Sequence, residues 1–137
     1  MIFKKYSPMG EMGAVSAELA EAMARTAGMS CAICDRDAVI AAAGGAKKDI
    51  LERSISSELE QLMERRECYE RGVDEQPEVL ISSQDGCAVV AAAPIITDGD
   101  VSGCVAFVSE KEDETADEVL LKLCQSAAQF LSKRIAV

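Results

Sequence analysis

Cysteine is the residue type in this sequence that most directly suggests chemistry. Six are present: Cys31, Cys34, Cys68, Cys87, Cys104 and Cys124. Only Cys31 and Cys34 have the C-x-x-C spacing of redox motifs and zinc knuckles, in which the pair lies at a helix start or a tight turn. Here the pair lies in residues 29–34, whose pattern predicts a β-strand, and residues three apart on a strand point to opposite faces. We therefore interpret the cysteines as small apolar packing residues in a reducing compartment.

Paired carboxylates are the second feature that could do chemistry. Asp35 with Asp37, and Asp98 with Asp100, have a spacing that could serve acid–base catalysis or calcium binding. Each pair flanks a predicted hairpin turn, where aspartate hydrogen-bonds its own backbone, so we interpret all of them as solvated turn residues. The sequence contains no histidine, which excludes histidine-based catalysis and histidine-containing metal sites. We predict no catalytic residue, no metal site and no cofactor.

The charge of the chain bears on its partners. It has 24 acidic and 14 basic residues, a formal net charge of −10. Nucleic acids bind cationic surfaces, so we expect no direct nucleic-acid binding by this chain alone. There is also no apolar run long enough to span a bilayer and no signal peptide, so we expect a cytoplasmic protein with no membrane contact.

The first half of the chain predicts helices around a hairpin. Apolar residues three and four apart predict a helix over 11–27, which Gly28 ends. Strands 29–34 and 38–43 are joined by a connector too short for a crossover and must form an antiparallel hairpin. Helical turns over 46–52 and a helix over 56–66 follow, the latter with Ser57 and Glu60 at the spacing of a capping box.

The second half predicts strands and a long final helix. Residues 68–77 are polar and predict a short strand and then a mobile loop. Strands are predicted over 78–83, 87–96 and 101–109, the last two joined at Asp98-Gly99, which tolerates positive φ. The final helix is predicted over 115–135, with Thr115 and Glu118 as its capping box.

This order of elements predicts an α+β fold. Hairpins exclude a doubly wound parallel sheet, which needs a crossover between strands. Residues 88–93 are apolar on both sides, so helices must cover both faces of the sheet. We predict a three-layer sandwich around an antiparallel sheet of five or six strands, with the first and last helices on one face and the middle helices and loops on the other.

Alanine-rich strands predict a ligand pocket under the helix over 56–66. Small side chains leave a hollow between layers, and polar residues near the strand ends could form its rim. The candidate pocket residues are Ala42, Lys47, Lys48, Ser82, Ser83 and Ala92, with Gln84 beside them. The alternative is close packing of the helix on the sheet, with solvated lysines and serines at its edge.

The first and last helices predict an oligomer. The last helix has two apolar stripes, and a helix that covers only its own sheet needs one. The first helix shows a similar surplus, so we predict a homodimer or tetramer in which these helices pack as a bundle. The candidate interface residues are Val15, Leu19, Met23, Leu121, Cys124, Ala128 and Leu131. The alternative is a helix pair that packs within one monomer.

Five short motifs resemble the stage V sporulation protein T family of transcription factors. They are IFKKYSP at 2–8, ICDRD at 33–37, KKD at 47–49, SIS at 54–56 and DGD at 98–100. Their order and spacing make the resemblance specific, and it runs over essentially the whole chain. The family combines an N-terminal swapped-hairpin DNA-binding domain of the AbrB type with a C-terminal GAF domain.

The resemblance implies that residues 11–137 are a GAF-like sensor domain. Residues 1–10 are then a linker or the remnant of a DNA-binding strand, and the family's basic DNA-binding domain is missing from this chain. The resemblance also implies a six-stranded antiparallel sheet, a pocket of the ligand-binding type and oligomerisation through the terminal helices. It supplies no ligand-binding residues that match this sequence one by one.

We therefore predict a small-molecule-sensing regulatory and oligomerisation domain of a sporulation-type transcription regulator, and not an enzyme. Two alternatives stay open. One is a GAF-fold thiol enzyme that reduces free methionine sulfoxide, for which Cys68, preceded by Arg65 and Arg66, has the most basic neighbourhood. The other is a ligand-free oligomerisation adaptor with a filled core.

Overall fold

The computed structural model describes residues 12–72, 79–82, 87–109 and 117–135, and every structural statement below concerns these residues. The expectations for residues 1–10, for the loop after Gly72 and for Ser83, Gln84 and Thr115 lie outside them. The described elements, in chain order, are α1 (Gly13–Ala27), β1 (Ser30–Cys34), β2 (Val39–Ala43), α2 (Lys47–Ile50), α3 (Ser57–Glu64), β3 (Tyr69–Glu70), β4 (Ala88–Thr97), β5 (Asp100–Ser109) and α4 (Glu118–Ile135).

The described strands form one antiparallel sheet of five strands in the order β2-β1-β5-β4-β3. This confirms the predicted fold class, with five described strands where five or six were predicted. The strand predicted over 78–83 is described only at residues 79–82. In its described part, Leu80 forms an isolated bridge with Ala88. The amide of Ile81 donates to the carbonyl oxygen of Cys87 at 3.1 Å.

Two backbone features predicted from the sequence are confirmed. Gly28, at the end of α1, has a φ of 67°, the left-handed conformation that ends a helix. Asp98 and Gly99, with φ of 52° and 85°, form the turn between β4 and β5. Positive φ at both central residues gives a turn whose twist matches that of the paired strands.

The sheet lies between two helical layers, as predicted. On one face α1 and α4 cover a cluster that includes Ile33, Val105 and Phe107. On the other face α2 and α3 cover a second cluster that includes Val89 and Val108. A bulge in β4 places the consecutive residues Val90 and Ala91 in the first cluster together. Because both faces are covered, β4 and β5 are apolar without alternation.

The helix caps differ from the predicted ones. Ser56, not Ser57, caps α3, and its hydroxyl accepts a hydrogen bond from the amide of Leu59 at 3.1 Å. The same hydroxyl donates to the carbonyl of Leu80 at 2.6 Å. Spacing within the helix could not reveal this partner, because the partner lies in another segment. At α4 the carboxylate of Asp117 accepts from the amide of Leu120 at 2.9 Å.

A groove between the last helix and the sheet edge

The structure contains a groove of about 500 Å³ between α4 and the C-terminal part of β4, near the outer edge of the sheet. Its size falls within the range of small-molecule sites. The floor is apolar and small, and the rim is polar and cationic. Its lining residues are Arg66, Cys68, Ala93, Pro94, Ile96, Gln125, Ala128, Gln129, Ser132 and Lys133. This groove lies on the opposite face of the sheet from the predicted pocket.

The groove exists because β4 is longer than the strand that pairs with its outer edge. β3 pairs with β4 only at Ala91 and Ala92. Beyond Ala92, the outer edge of β4 has no strand partner among the described residues. Pro94 has no amide hydrogen to offer there, and the hydroxyl of Ser132 donates to the carbonyl of Ile96. Both features protect an exposed edge from pairing with another strand.

Arg66 is held at the rim by an unusual backbone conformation. The amide of Glu67 donates to the carbonyl of Leu62 at 3.2 Å, and that of Arg66 to Met63 at 3.0 Å. These bonds form a Schellman motif, in which the left-handed residue is usually glycine. Arg66 occupies this position with a φ of 57°, which costs a residue other than glycine about 1–2 kcal/mol. Its guanidinium donates to the carbonyl of Gly99 at 2.8 Å.

Cys68 is one of the residues that line the groove. The side-chain amide of Gln125 on α4 approaches its sulfur at 3.6 Å. All six cysteines lie in the described part of the chain, and Cys68 alone is exposed. It is therefore the cysteine that a thiol reagent in solution can reach in the folded protein.

The predicted pocket residues do not line this groove. Ala42 and Ala92 belong to the cluster under α3, where Leu59, Leu62 and Met63 pack with them. Lys47 and Lys48 are exposed on α2, and Ser82 is buried. Ser83 lies outside the described residues. Ligand binding by these residues stays a prediction.

The predicted interface residues divide into two groups. Met23, Cys124, Ala128 and Leu131 are buried against the chain's own sheet. Val15, Leu19 and Leu121 are half-buried. Two exposed apolar residues of α4, Val119 and Phe130, are not among the predicted interface residues. Phe130 is 46% exposed and Val119 is 62% exposed.

The buried thiols have environments that oppose thiolate chemistry. Burial raises the pKa of Cys31 to about 12 and also raises that of Cys124. A hydrogen bond with Cys104, which lies directly opposite on β5, raises the pKa of Cys34, and burial adds to the effect. Thiol-dependent reduction needs a lowered thiol pKa, so the cysteines of the C-x-x-C pair are unsuited to it.

The carboxylate pairs lie at turns, as predicted. The carboxylate of Asp35 accepts from the amides of Asp37 at 2.7 Å and Ala38 at 2.8 Å. Asp98 and Asp100 are exposed. In the described part of the chain, no three histidine, cysteine, aspartate or glutamate residues are grouped so that they could hold a metal ion. None of the described helices is both long enough and apolar enough to cross a membrane.

Comparison with known proteins identifies the family. The model of the family described as stage V sporulation protein T C-terminal, transcription factor, matches residues 11–136. Stage V sporulation protein T of Bacillus subtilis (strain 168) is 36% identical over 135 residues, which cover 98% of this chain and 75% of that protein. The chain belongs to this family. The resemblance in the short motifs is thereby confirmed.

Solved structures place this member of the stage V sporulation protein T family in the GAF fold. A GAF domain from an Acinetobacter phosphoenolpyruvate-protein phosphotransferase superposes with a TM-score of 0.65 at 12% identity, over 90% of this chain and 81% of that one. The cofactor-binding GAF domain of the nutrient sensor CodY from Clostridium difficile gives 0.61 at 14% identity, over 87% and 83%.

A third structure with the same fold is an enzyme. The type II free methionine-R-sulfoxide reductase from Thermoplasma acidophilum superposes with a TM-score of 0.59 at 13% identity, over 93% of this chain and 92% of that one. At such identities the likeness establishes the fold alone. Together, family and fold make this chain a regulatory GAF domain of a transcription-factor family.

Proposed function

We propose that this GAF domain is the small-molecule-sensing and oligomerisation module of a cytoplasmic transcription regulator. The observation that carries the proposal is that α4 forms one wall of the groove. A ligand in the groove would contact Gln125, Gln129 and Ser132 on that helix. It would also contact the sheet edge, so its affinity would depend on how the helix packs against the sheet.

A ligand that contacts both walls can act as a signal. It shifts a packing equilibrium only by the difference between its affinities for the two arrangements. The sheet side of the groove is held by the pairing of β4 with β5, which continues to the turn with one bulge between Ile95 and Ile96. The helix is the wall that can change position, and its other surfaces would transmit the change.

The surface that would transmit the change is an apolar flank of α4 formed by Val119, Leu123 and Phe130. These residues are four and seven apart, so they lie along one side of the helix. None of them lines the groove. Leu123 is half-buried, whereas Phe130 and Val119 expose large apolar surfaces.

We propose that a second copy of this chain covers the flank. The guanidinium of Arg134 lies 6.0 Å from the centre of the Phe130 ring, which places a positive charge there. The neighbouring helix α1 exposes Glu18 and Glu21. Two copies related by a twofold axis could bring these opposite charges together around the apolar contact.

The oligomerisation half is tested by light scattering coupled to size-exclusion chromatography. Phe130→Glu should shift the parent dimer or tetramer toward monomer, because it adds a charge in the apolar contact. Gln61→Glu adds the same charge at an exposed position of α3, on the opposite face of the sheet. It should leave the oligomeric state unchanged. A monomeric parent at high concentration would contradict this half of the proposal.

The sensing half is tested by calorimetry and thermal denaturation of the full chain against a panel of amino acids, nucleotides and acyl metabolites. A ligand present at about 100 times its Kd stabilises the folded state by about 2.7 kcal/mol. Sensing further requires that the same compound change the oligomer distribution. Binding without any change in oligomer would leave a binding domain that does not signal through α4.

A further inference from the structure

We propose that the groove binds a small organic anion, in which a carboxylate or phosphate group faces Arg66 and Lys133 and an apolar body lies on the floor. This inference rests on the proposed function, because it takes the groove to be the sensing site. It adds the chemical class of the ligand, which neither the family nor the fold assigns.

The charge of the groove differs from that of the whole chain. Two of its lining residues, Arg66 and Lys133, are cationic, and none of the lining residues is an aspartate or glutamate. The chain as a whole carries a net charge of −10. A local positive potential in a concave site attracts a small anion, whereas a long polyanion would also meet the repulsion of the surrounding acidic surface.

The backbone of Arg66 is independent support for a role of its side chain. The left-handed position in a Schellman motif favours glycine, yet the position holds an arginine that reaches the groove rim. Unfavourable backbone conformations persist only where the surrounding structure holds them, and they concentrate at functional sites. The bond from the guanidinium to the Gly99 carbonyl fixes the group while leaving other donors for a ligand.

The remaining lining residues define the rest of the ligand. The buried Ala93 and Ala128 offer small apolar contacts, the exposed Ile96 adds a larger apolar side chain, and Gln125 and Gln129 offer side-chain amides. An extended peptide is a poorer fit, because Pro94 cannot donate to an added strand and the Ile96 carbonyl already accepts from Ser132. The combination favours a small molecule with one charged end and one apolar end.

The test uses probes that share an apolar chain and differ in the head group: hexanoate, hexyl phosphate, hexan-1-ol and hexylamine. One readout is the set of side-chain amide NMR signals of Gln125 and Gln129 in the full chain. The other is the rate at which N-ethylmaleimide alkylates Cys68, the exposed cysteine in the groove. Hexanoate, hexyl phosphate or both should shift the signals and slow alkylation. Hexan-1-ol should bind at least about 10-fold more weakly, since it cannot form charge-assisted bonds, and hexylamine should not bind.

Variants separate a binding role of Arg66 from a structural one. Arg66→Gly removes the guanidinium but suits the left-handed backbone, so it should weaken binding of the anionic probe at least about 10-fold while the melting temperature stays close to that of the parent. Lys133→Gln should weaken binding with the same preservation of fold. Arg65→Ala is the matched control, because Arg65 is an adjacent exposed arginine outside the groove, and it should bind like the parent.

The outcomes distinguish this inference from the proposed function. Equal responses to hexan-1-ol and hexanoate would overturn the anionic class and leave a ligand-binding groove. No response of Gln125, Gln129 and Cys68 to either anion at millimolar concentration would overturn the inference. If a metabolite from the panel still stabilised the chain and changed its oligomer, sensing would survive at another site. Parent-like binding by Arg66→Gly would also contradict the role given to Arg66.

Discussion

The carbonyl oxygen of Cys34 occupies the space that a side chain on Gly103 would need. A Cβ atom at residue 103 would overlap that oxygen and would also crowd the α-carbon of Asp35. The contact brings β1 and β5 together next to the directly opposed pair Cys34 and Cys104. Glycine is required here for close approach of two backbones, and not for a positive φ.

Gly103→Ala should therefore destabilise the fold strongly. Because the obstructing atoms are backbone, β1 and β5 must separate, and we expect a loss of at least about 3 kcal/mol in the free energy of unfolding, measured by urea denaturation. Gly45→Ala is the control, since a Cβ there meets nothing within 4 Å. A loss below about 1 kcal/mol at residue 103 would show that the strands adjust easily.

Ser56→Ala should cost about 2 kcal/mol of unfolding free energy. It removes the cap of α3 and leaves the partly buried carbonyl of Leu80 without the Ser56 donor. Ser57→Ala, one residue later, changes an exposed hydroxyl and should stay within about 0.5 kcal/mol of the parent. If the two variants lost equal stability, the assignment of Ser56 as the cap of α3 would be wrong.

Ser16→Ala should stabilise the protein. The Ser16 hydroxyl is fully buried and has no hydrogen-bond partner in the described structure, and a buried unpaired polar group costs about 1–3 kcal/mol. Ser126→Ala, at an exposed position of α4, measures the gain from helix propensity alone, about 0.5 kcal/mol. The Ser16 variant should exceed that gain in thermal denaturation, and a loss would mean that the hydroxyl has a partner.

Stability should fall in alkaline solution because of the buried thiols. The pKa of Cys31 is raised from its ordinary value of 9.0 to about 12. Below pH 9 the Cys31 thiol keeps its proton in both the folded and the unfolded state, so it causes no loss of stability there. Between pH 9 and 12 the unfolded state ionises first, so stability is lost as pH rises.

The shifts at Cys34 and Cys124 have the same sign and add to the effect. Each such thiol contributes a slope of up to about 1.4 kcal/mol per pH unit. Cys31→Ala should reduce the slope of unfolding free energy against pH above 9, whatever its effect at pH 7. An unchanged slope would show that water reaches this thiol in the folded state.

Much of the fold follows from local pattern. The Asp98-Gly99 turn, the helix end at Gly28 and the hairpin of β1 and β2 depend on residues adjacent in sequence. The two-sided apolar character of residues 88–93 predicts the covered sheet without knowledge of any contact. Such features are predictable because their causes, backbone conformation and periodic burial, act over a few residues.

The groove could not be predicted in the same way. Arg66, Pro94 and Gln125 come from three distant segments, and they meet because β3 is too short to cover the outer edge of β4. No glycine follows the end of α3, so the local sequence does not reveal that Arg66 has a left-handed backbone. The cap of α3 was missed for a related reason, since Ser56 has a partner in the segment 79–82.

The sequence alone determined the order of helices and strands, the family and the need for two helical layers, because these depend on composition, spacing and motif order along the chain. The tertiary structure decided which side of α4 faces the sheet, which strand edge stays uncovered and where the cationic rim lies. Those outcomes depend on strand register and on a difference in length between neighbouring strands, which arise only when distant segments pack together.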